Sequence, residues 1–183
     1  MESKTYSHIP DHPQAYSIGT VLGRMVDGIG FRYHWATQGL NNTDLEYRPC
    51  TTSRSIYDTL LHVYNLAEML STTVTGLRYE LPEPSNGLQF DELREESLRI
   101  LAHISDRFKE ASDNEISEMS IKFKMGEQDL DFPTWNVVNG PISDLLYHIG
   151  QVVSHRRASG NPIDSKVNLL VGQRIDDEIK KAA

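Results

Sequence analysis

Four times along the chain apolar residues recur at every third or fourth position for long enough to make several helical turns. A sequence so patterned must bury four apolar stripes against one another. The first stripe follows a proline-containing lead-in (Ile9 to Pro13) and comprises Ile18, Val21, Leu22, Met25, Val26, Ile29, Tyr33, Ala36 and Leu40. Asn41, Asn42 and Thr43 read as a polar connection, and Arg48-Pro49 excludes a helix there, because a residue before proline avoids helical dihedrals. Ser53 or Ser55 can cap a second helix with Ile56, Leu60, Val63, Ala67 and Leu70 as its buried row. A turn-rich stretch, Glu80 to Gly87, precedes a third helix built on Phe90, Leu93, Leu98, Leu101, Ile104 and Phe108.

The period then changes from helical to two. Met119, Ile121, Phe123 and Met125 alternate with polar residues, Gly126 opens a turn, and Leu130 and Phe132 alternate with Asp129 and Asp131. This predicts a short β-hairpin, stopped by Pro133, with Trp135 filling a gap in the core beyond it. The fourth helix begins near Pro141, presents Ile142, Leu145, Ile149, Val152 and Val153 to the interior, and ends at Gly160 and Pro162. Residues 166–183 carry a weak helical pattern. The expected fold is all-α: a four-helix bundle with a short hairpin between helices three and four. At 183 residues it forms one domain, with its core at about 15–163 and a C-terminal extension over 164–183.

Composition narrows the function classes. A net charge of -8 with no basic block disfavours nucleic acid as a partner. No apolar run is long enough to span a bilayer, and the opening residues lack the character of a signal or transit peptide, so the expected location is the cytoplasm. A single cysteine, Cys50, excludes an internal disulfide and a cysteine-based zinc site. No Gly-rich phosphate loop, G-x-S-x-G elbow or H-E-x-x-H motif is present.

The fourth helix carries the chemistry. Asp144, His148, Gln151 and His155 fall in one narrow wedge bordering its apolar stripe. Asp144 and His148, four residues apart, can bring their side chains to one point, the spacing by which two residues of a helix chelate one metal ion. His155 lies about 10.5 Å of helical rise beyond His148 and cannot share that ion. A third ligand must come from another helix. His62 is the natural candidate, since its neighbours Leu61, Val63 and Leu66 are apolar, and His34 is the competitor. Two imidazoles and a carboxylate would leave open positions on zinc or non-haem iron, as catalytic sites do. The plain reading stands beside this one: Asp144 is also an ordinary first-turn carboxylate, Gln151 a hydrogen-bonding neighbour, and His155 a surface residue.

Three stretches taken together, LEYRPCTTSRSIYDTLLHV (45–63), FPTWNVVNGPISDLLYHIGQVVSHRR (132–157) and SGNP (159–162), resemble the DinB-like superfamily. That superfamily comprises four-helix bundles that include YfiT-type metal-dependent hydrolases and relatives of thiol-dependent transferases and isomerases. The resemblance covers about residues 15 to 163. It implies an up-down-down-up bundle, often a homodimer, holding a divalent metal (zinc, nickel or iron) on one histidine of helix two and two of helix four. His62 and His148 match two of those positions, and Asp144 stands where the third histidine would be. The expectation is a metal-dependent enzyme, a hydrolase or thiol transferase acting on a small molecule, with His62, Asp144 and His148 as ligands. His34, Gln151 and His155 are candidate pocket residues, and the sequence names no thiol cofactor. The alternative is a non-catalytic bundle that binds a small ligand or acts as a stress-associated interaction protein, having lost the metal.

Overall fold

The structure, a computed structural model, describes residues 6–80 and 87–175. It is mostly helical, and the first two long helices start where the sequence offers caps. Helix α1 (Ile18–Thr37) opens on a capping box: the Ser17 hydroxyl accepts the Thr20 amide at 3.1 Å, and the Thr20 hydroxyl accepts the Ser17 amide at 2.8 Å. A short helix α2 (Asn42–Glu46), started the same way by Asn41 and Asp44, occupies the stretch read as a plain connection. Helix α3 (Ile56–Thr75) starts from Ser55, whose hydroxyl accepts the Asp58 amide at 3.0 Å, and stops at Gly76 in the left-handed region. Helices α4 (Phe90–Glu110) and α5 (Asp113–Glu118) precede the strands. One turn of α6 (Thr134–Val137) and a π-type turn (Val138–Ile142) lead into α7 (Ser143–Ala158).

Helix α1 packs on α4 and α7, and α3 packs on the same two helices. Val26, Ile29, Leu60, Val63, Leu101, Ile104, Leu145 and Val152 are fully buried between them, each worth roughly 1.5–3 kcal/mol in apolar transfer. The contact between α1 and α4 is close because α1 presents glycine there. A Cβ on Gly19 would lie 2.2 Å from the Phe108 carbonyl oxygen, and one on Gly23 would lie 2.9 Å from that of Ser105. This explains a difference from the expected stripe. Ile18, Val21 and Met25 are 49%, 48% and 37% exposed, because the row that α4 covers is Gly19, Leu22, Gly23 and Val26.

The hairpin is present as β2 (Ser120–Met125) and β3 (Gln128–Pro133), antiparallel, with Ile121 opposite Phe132. It is not isolated. Strand β1 (Arg78–Glu80) adds to β2 in parallel and makes a three-stranded sheet, with the Tyr79 and Phe123 rings 5.2 Å apart. Of the stretch read as a loop, residues 81–86 lie outside the described residues. The fold is therefore not purely α-helical. A second, two-stranded sheet, β4 (Val167–Asn168) with β5 (Gln173–Arg174), replaces the helix suggested for 166–183, of which 176–183 lie outside the described residues. Asn168 drives that turn, since its side-chain oxygen accepts the amides of Leu170 and Val171. Trp135 does not fill the core: it is 81% exposed. Thr134 donates to the carbonyls of Ile116 and Met119, which fixes α6 so that Val137 faces inward instead.

Two buried polar clusters tie the helices together. Arg156, 2% exposed, shares its Nη1 donors among the carbonyls of Trp35, Ala36 and Gln38 at 2.9–3.1 Å, closing the C-terminus of α1. Its Nε and Nη2 donate to the Asn161 backbone and side-chain oxygens. Asn161 and Ser159 in turn donate to the buried carboxylate of Asp44 at 2.7 and 2.8 Å. The second cluster surrounds Asp27, which accepts from Ser105 at 2.6 Å and Tyr6 at 3.2 Å and pairs with Lys109 across the α1–α4 contact. Tyr6 belongs to an N-terminal segment laid along α1. Its ring seats on Gly30, the Trp35 indole donates to the Ser7 carbonyl, and the Ile9 amide donates to the Gly172 carbonyl at 2.7 Å. Among the described residues no helix is long and apolar enough to cross a membrane.

Candidate metal centre

His62 sits beside the buried row of α3, and His148 beside that of α7, so the packing of these two helices brings the imidazoles face to edge. Their ring centroids are 4.5 Å apart at 84°. The two imidazoles singled out in the sequence thus meet, although 85 residues lie between them in the chain.

Gln151, three residues beyond His148 on α7, contacts it at 2.8 Å, Oε1 to Nδ1. An amide oxygen only accepts, so His148 donates this bond from Nδ1, which leaves Nε2 as its ring nitrogen outside the contact. Tyr147 covers another side of the ring, with centroids 5.1 Å apart, while remaining 63% exposed itself. Burial lowers the His62 pKa; Arg54 and His148 lower it further, and Asp144 opposes them. His62 is accordingly neutral near pH 7, with a lone pair to offer.

Asp144 lies in the first turn of α7 and is exposed, within electrostatic reach of His62. Among the described residues no three His, Cys, Asp or Glu side chains are grouped so that they could hold a metal ion. Two imidazoles lie adjacent, with the Asp144 carboxylate within electrostatic reach of His62, and these are donor types that divalent transition ions take.

The remaining candidates lie apart. His34 faces α4, where Arg94 approaches its Nδ1 at 3.3 Å and also donates to Thr37 and Gln38. His155 packs near Tyr47, ring centroids 6.3 Å apart, and its Nδ1 is buried with no hydrogen-bond partner among the described residues. Burial lowers its pKa as well. A cleft of about 520 Å³ between the lead-in and α1 is lined by Tyr16, Val21, Arg24 and Met25 and by none of the candidate ligands.

Sequence reasoning missed Tyr147 and did not tie Arg54 to His62. Arg54 lies just before the Ser55 cap of α3, outside the helix, so helical spacing could not place it near His62. Tyr147 offered no signal, since an aromatic next to a histidine in sequence points to another side of the helix until the rotamers are known. No family model, curated protein or solved structure matches the chain.

Proposed function

We propose that this chain is a DinB-like, up-down-down-up four-helix bundle that binds a divalent metal at His62, His148 and Asp144 and acts on a small molecule by hydrolysis or thiol transfer. The observation that carries this reading is the edge-to-face pair of His62 and His148, 4.5 Å apart, with His148 oriented by Gln151. The pairwise packing of α1, α3, α4 and α7 supports the bundle. A zinc, nickel or iron ion there would supply Lewis acidity toward a polar substrate group. His148 would offer Nε2, His62 would offer a lone pair that burial keeps unprotonated, and Asp144 would reach the ion from one turn earlier on α7. Assembly as a homodimer in the cytoplasm belongs to the same proposal.

Metal analysis of purified protein tests it. Wild type should carry about one equivalent of metal, and His62→Ala and His148→Ala should each fall to about a tenth of that or less, with helicity unchanged. Equal metal content in all three proteins sinks the site. Gln151→Leu should weaken zinc binding by about 10–100-fold in a competition titration, because His148 loses the bond that sets its tautomer. Unchanged affinity would remove Gln151 from the scheme.

One observation favours a second reading. Asp144 is exposed, and no three-ligand group is assembled among the described residues. This suits a bundle that has kept the histidine pair as hydrogen-bonded structure and binds a small ligand without catalysis. A wild-type protein that stays metal-free after incubation with zinc, nickel and ferrous iron would decide for it.

A further inference from the structure

The other side of α3 carries a separate arrangement. Residues 62 and 68 are about 120° apart around the helix, so Glu68 lies on a different face from the histidine pair. Tyr64, Glu68 and Thr72 follow one another at four-residue steps along α3 and, with Asn65, face β1 across a cleft of about 250 Å³. Arg78, Tyr79 and Glu80 form its opposite wall.

The charges around this cleft are already engaged, except one. Arg78 donates to the Phe123 carbonyl at 3.1 Å and pairs with Asp129 and Asp131. Glu80 pairs with Lys124 at 3.7 Å. Behind the cleft, on α4, Glu96 takes the Arg99 guanidinium in a two-pronged pair, with one bond of 2.7 Å. Glu68 is partly buried and has no hydrogen bond or ion pair among the described residues. It feels Glu96 as a repelling charge and Arg99 as an attracting one. An unpaired carboxylate in a recess is costly, and here it is flanked by the phenol rings of Tyr64 on the same helix and Tyr79 on β1.

We propose that this cleft binds an organic ammonium ion, with Glu68 as its counter-charge and Tyr64 and Tyr79 as aromatic walls. A carboxylate gives the cation a charge-assisted hydrogen bond, and ring faces attract it through their quadrupoles. The Asn65 side chain and the Thr72 hydroxyl can accept further N–H groups. A hard metal ion suits the cleft less well, since such ions gather six or more oxygen ligands and the other wall carboxylate is committed to Lys124.

The test must separate a site from the general pull of a chain with net charge -8. The full chain is titrated with putrescine, and with 1,4-butanediol as its uncharged counterpart, following the tyrosine ring resonances by NMR. Putrescine should bind saturably and move the Tyr64 and Tyr79 signals, while 1,4-butanediol should not. Glu68→Gln, which removes the charge at unchanged size, should weaken binding about tenfold or more with an unaltered melting curve. Glu118→Gln, at an exposed site on α5, should leave binding as in wild type. Absent or non-saturating binding, equal binding of the diol, equal affinity of Glu68→Gln, or an equal loss in Glu118→Gln would each overturn the proposal. None of these outcomes depends on whether the histidine pair holds a metal.

Discussion

Arg156→Met should destabilise the protein by about 3–5 kcal/mol, a fall in Tm of roughly 6–20 °C for a chain of this size. Methionine fills much the same volume, so the loss reports hydrogen bonding rather than a cavity. Three carbonyls at the end of α1 share the guanidinium, and each buried acceptor left without a donor costs about 1–3 kcal/mol. Water cannot readily replace a side chain that is 2% exposed. Arg156→Lys should recover only part of the loss, because an ammonium cannot serve the α1 carbonyls and Asn161 together. Urea denaturation of the three proteins measures this, and an Arg156→Met variant within about 1 kcal/mol of wild type would show that solvent reaches those carbonyls.

The same cluster sets a pH dependence. Burial pushes the Asp44 pKa up, but bonds from Asn161, Asn41 and Ser159 and the charge of Arg156 outweigh it and hold the carboxyl below the usual range. A group with a depressed folded pKa contributes stability that is present above its unfolded pKa and is lost as the pH falls through the folded one. Asp44→Asn should therefore flatten the acid limb of the stability profile.

Asp27→Ala should cost about 2–4 kcal/mol, somewhat less than Arg156→Met. The substitution takes the Asp27 acceptor from the Tyr6 hydroxyl and leaves Ser105 only its longer bond to the Gly23 carbonyl at 3.2 Å, while the partly exposed Lys109 can turn to water. A double-mutant cycle with Lys109→Ala isolates the ion pair, for which a coupling of about 1–3 kcal/mol is expected. Additive single effects would mean that the two charges do not stabilise each other. Asp27→Ala should also loosen Tyr6, so amides over residues 6–16 should exchange faster than in wild type.

Much of the helical framework was legible because its signals are local. Ser17 and Ser55 each cap a helix through bonds spanning three residues, and Gly76 and Gly160 stop helices by conformation alone. What escaped was set by distant partners. Gly19 and Gly23 are blank in a hydropathy pattern, yet they decide which side of α1 faces α4 and so leave Ile18, Val21 and Met25 partly exposed. Strand β1 has three residues, too few for a period, and forms because β2 offers an edge. Trp135 reads as core by composition but is turned outward by hydrogen bonds of Thr134 to α5 and the residue after it.

The candidate site divides the same way. His62 stood out among apolar neighbours, and the structure sets its ring edge-to-face against that of His148. The exposure of Asp144 could not be read, because a first-turn carboxylate and a ligand share one position on the helix. His34 stood in the sequence as the competitor of His62, and in the structure it faces Arg94 of α4 instead of the pair.

The bond between the Ile9 amide and the Gly172 carbonyl joins segments that are 163 positions apart. Fraying at one end of the fold therefore removes a partner from the other, so the two edges should loosen in concert rather than one after the other.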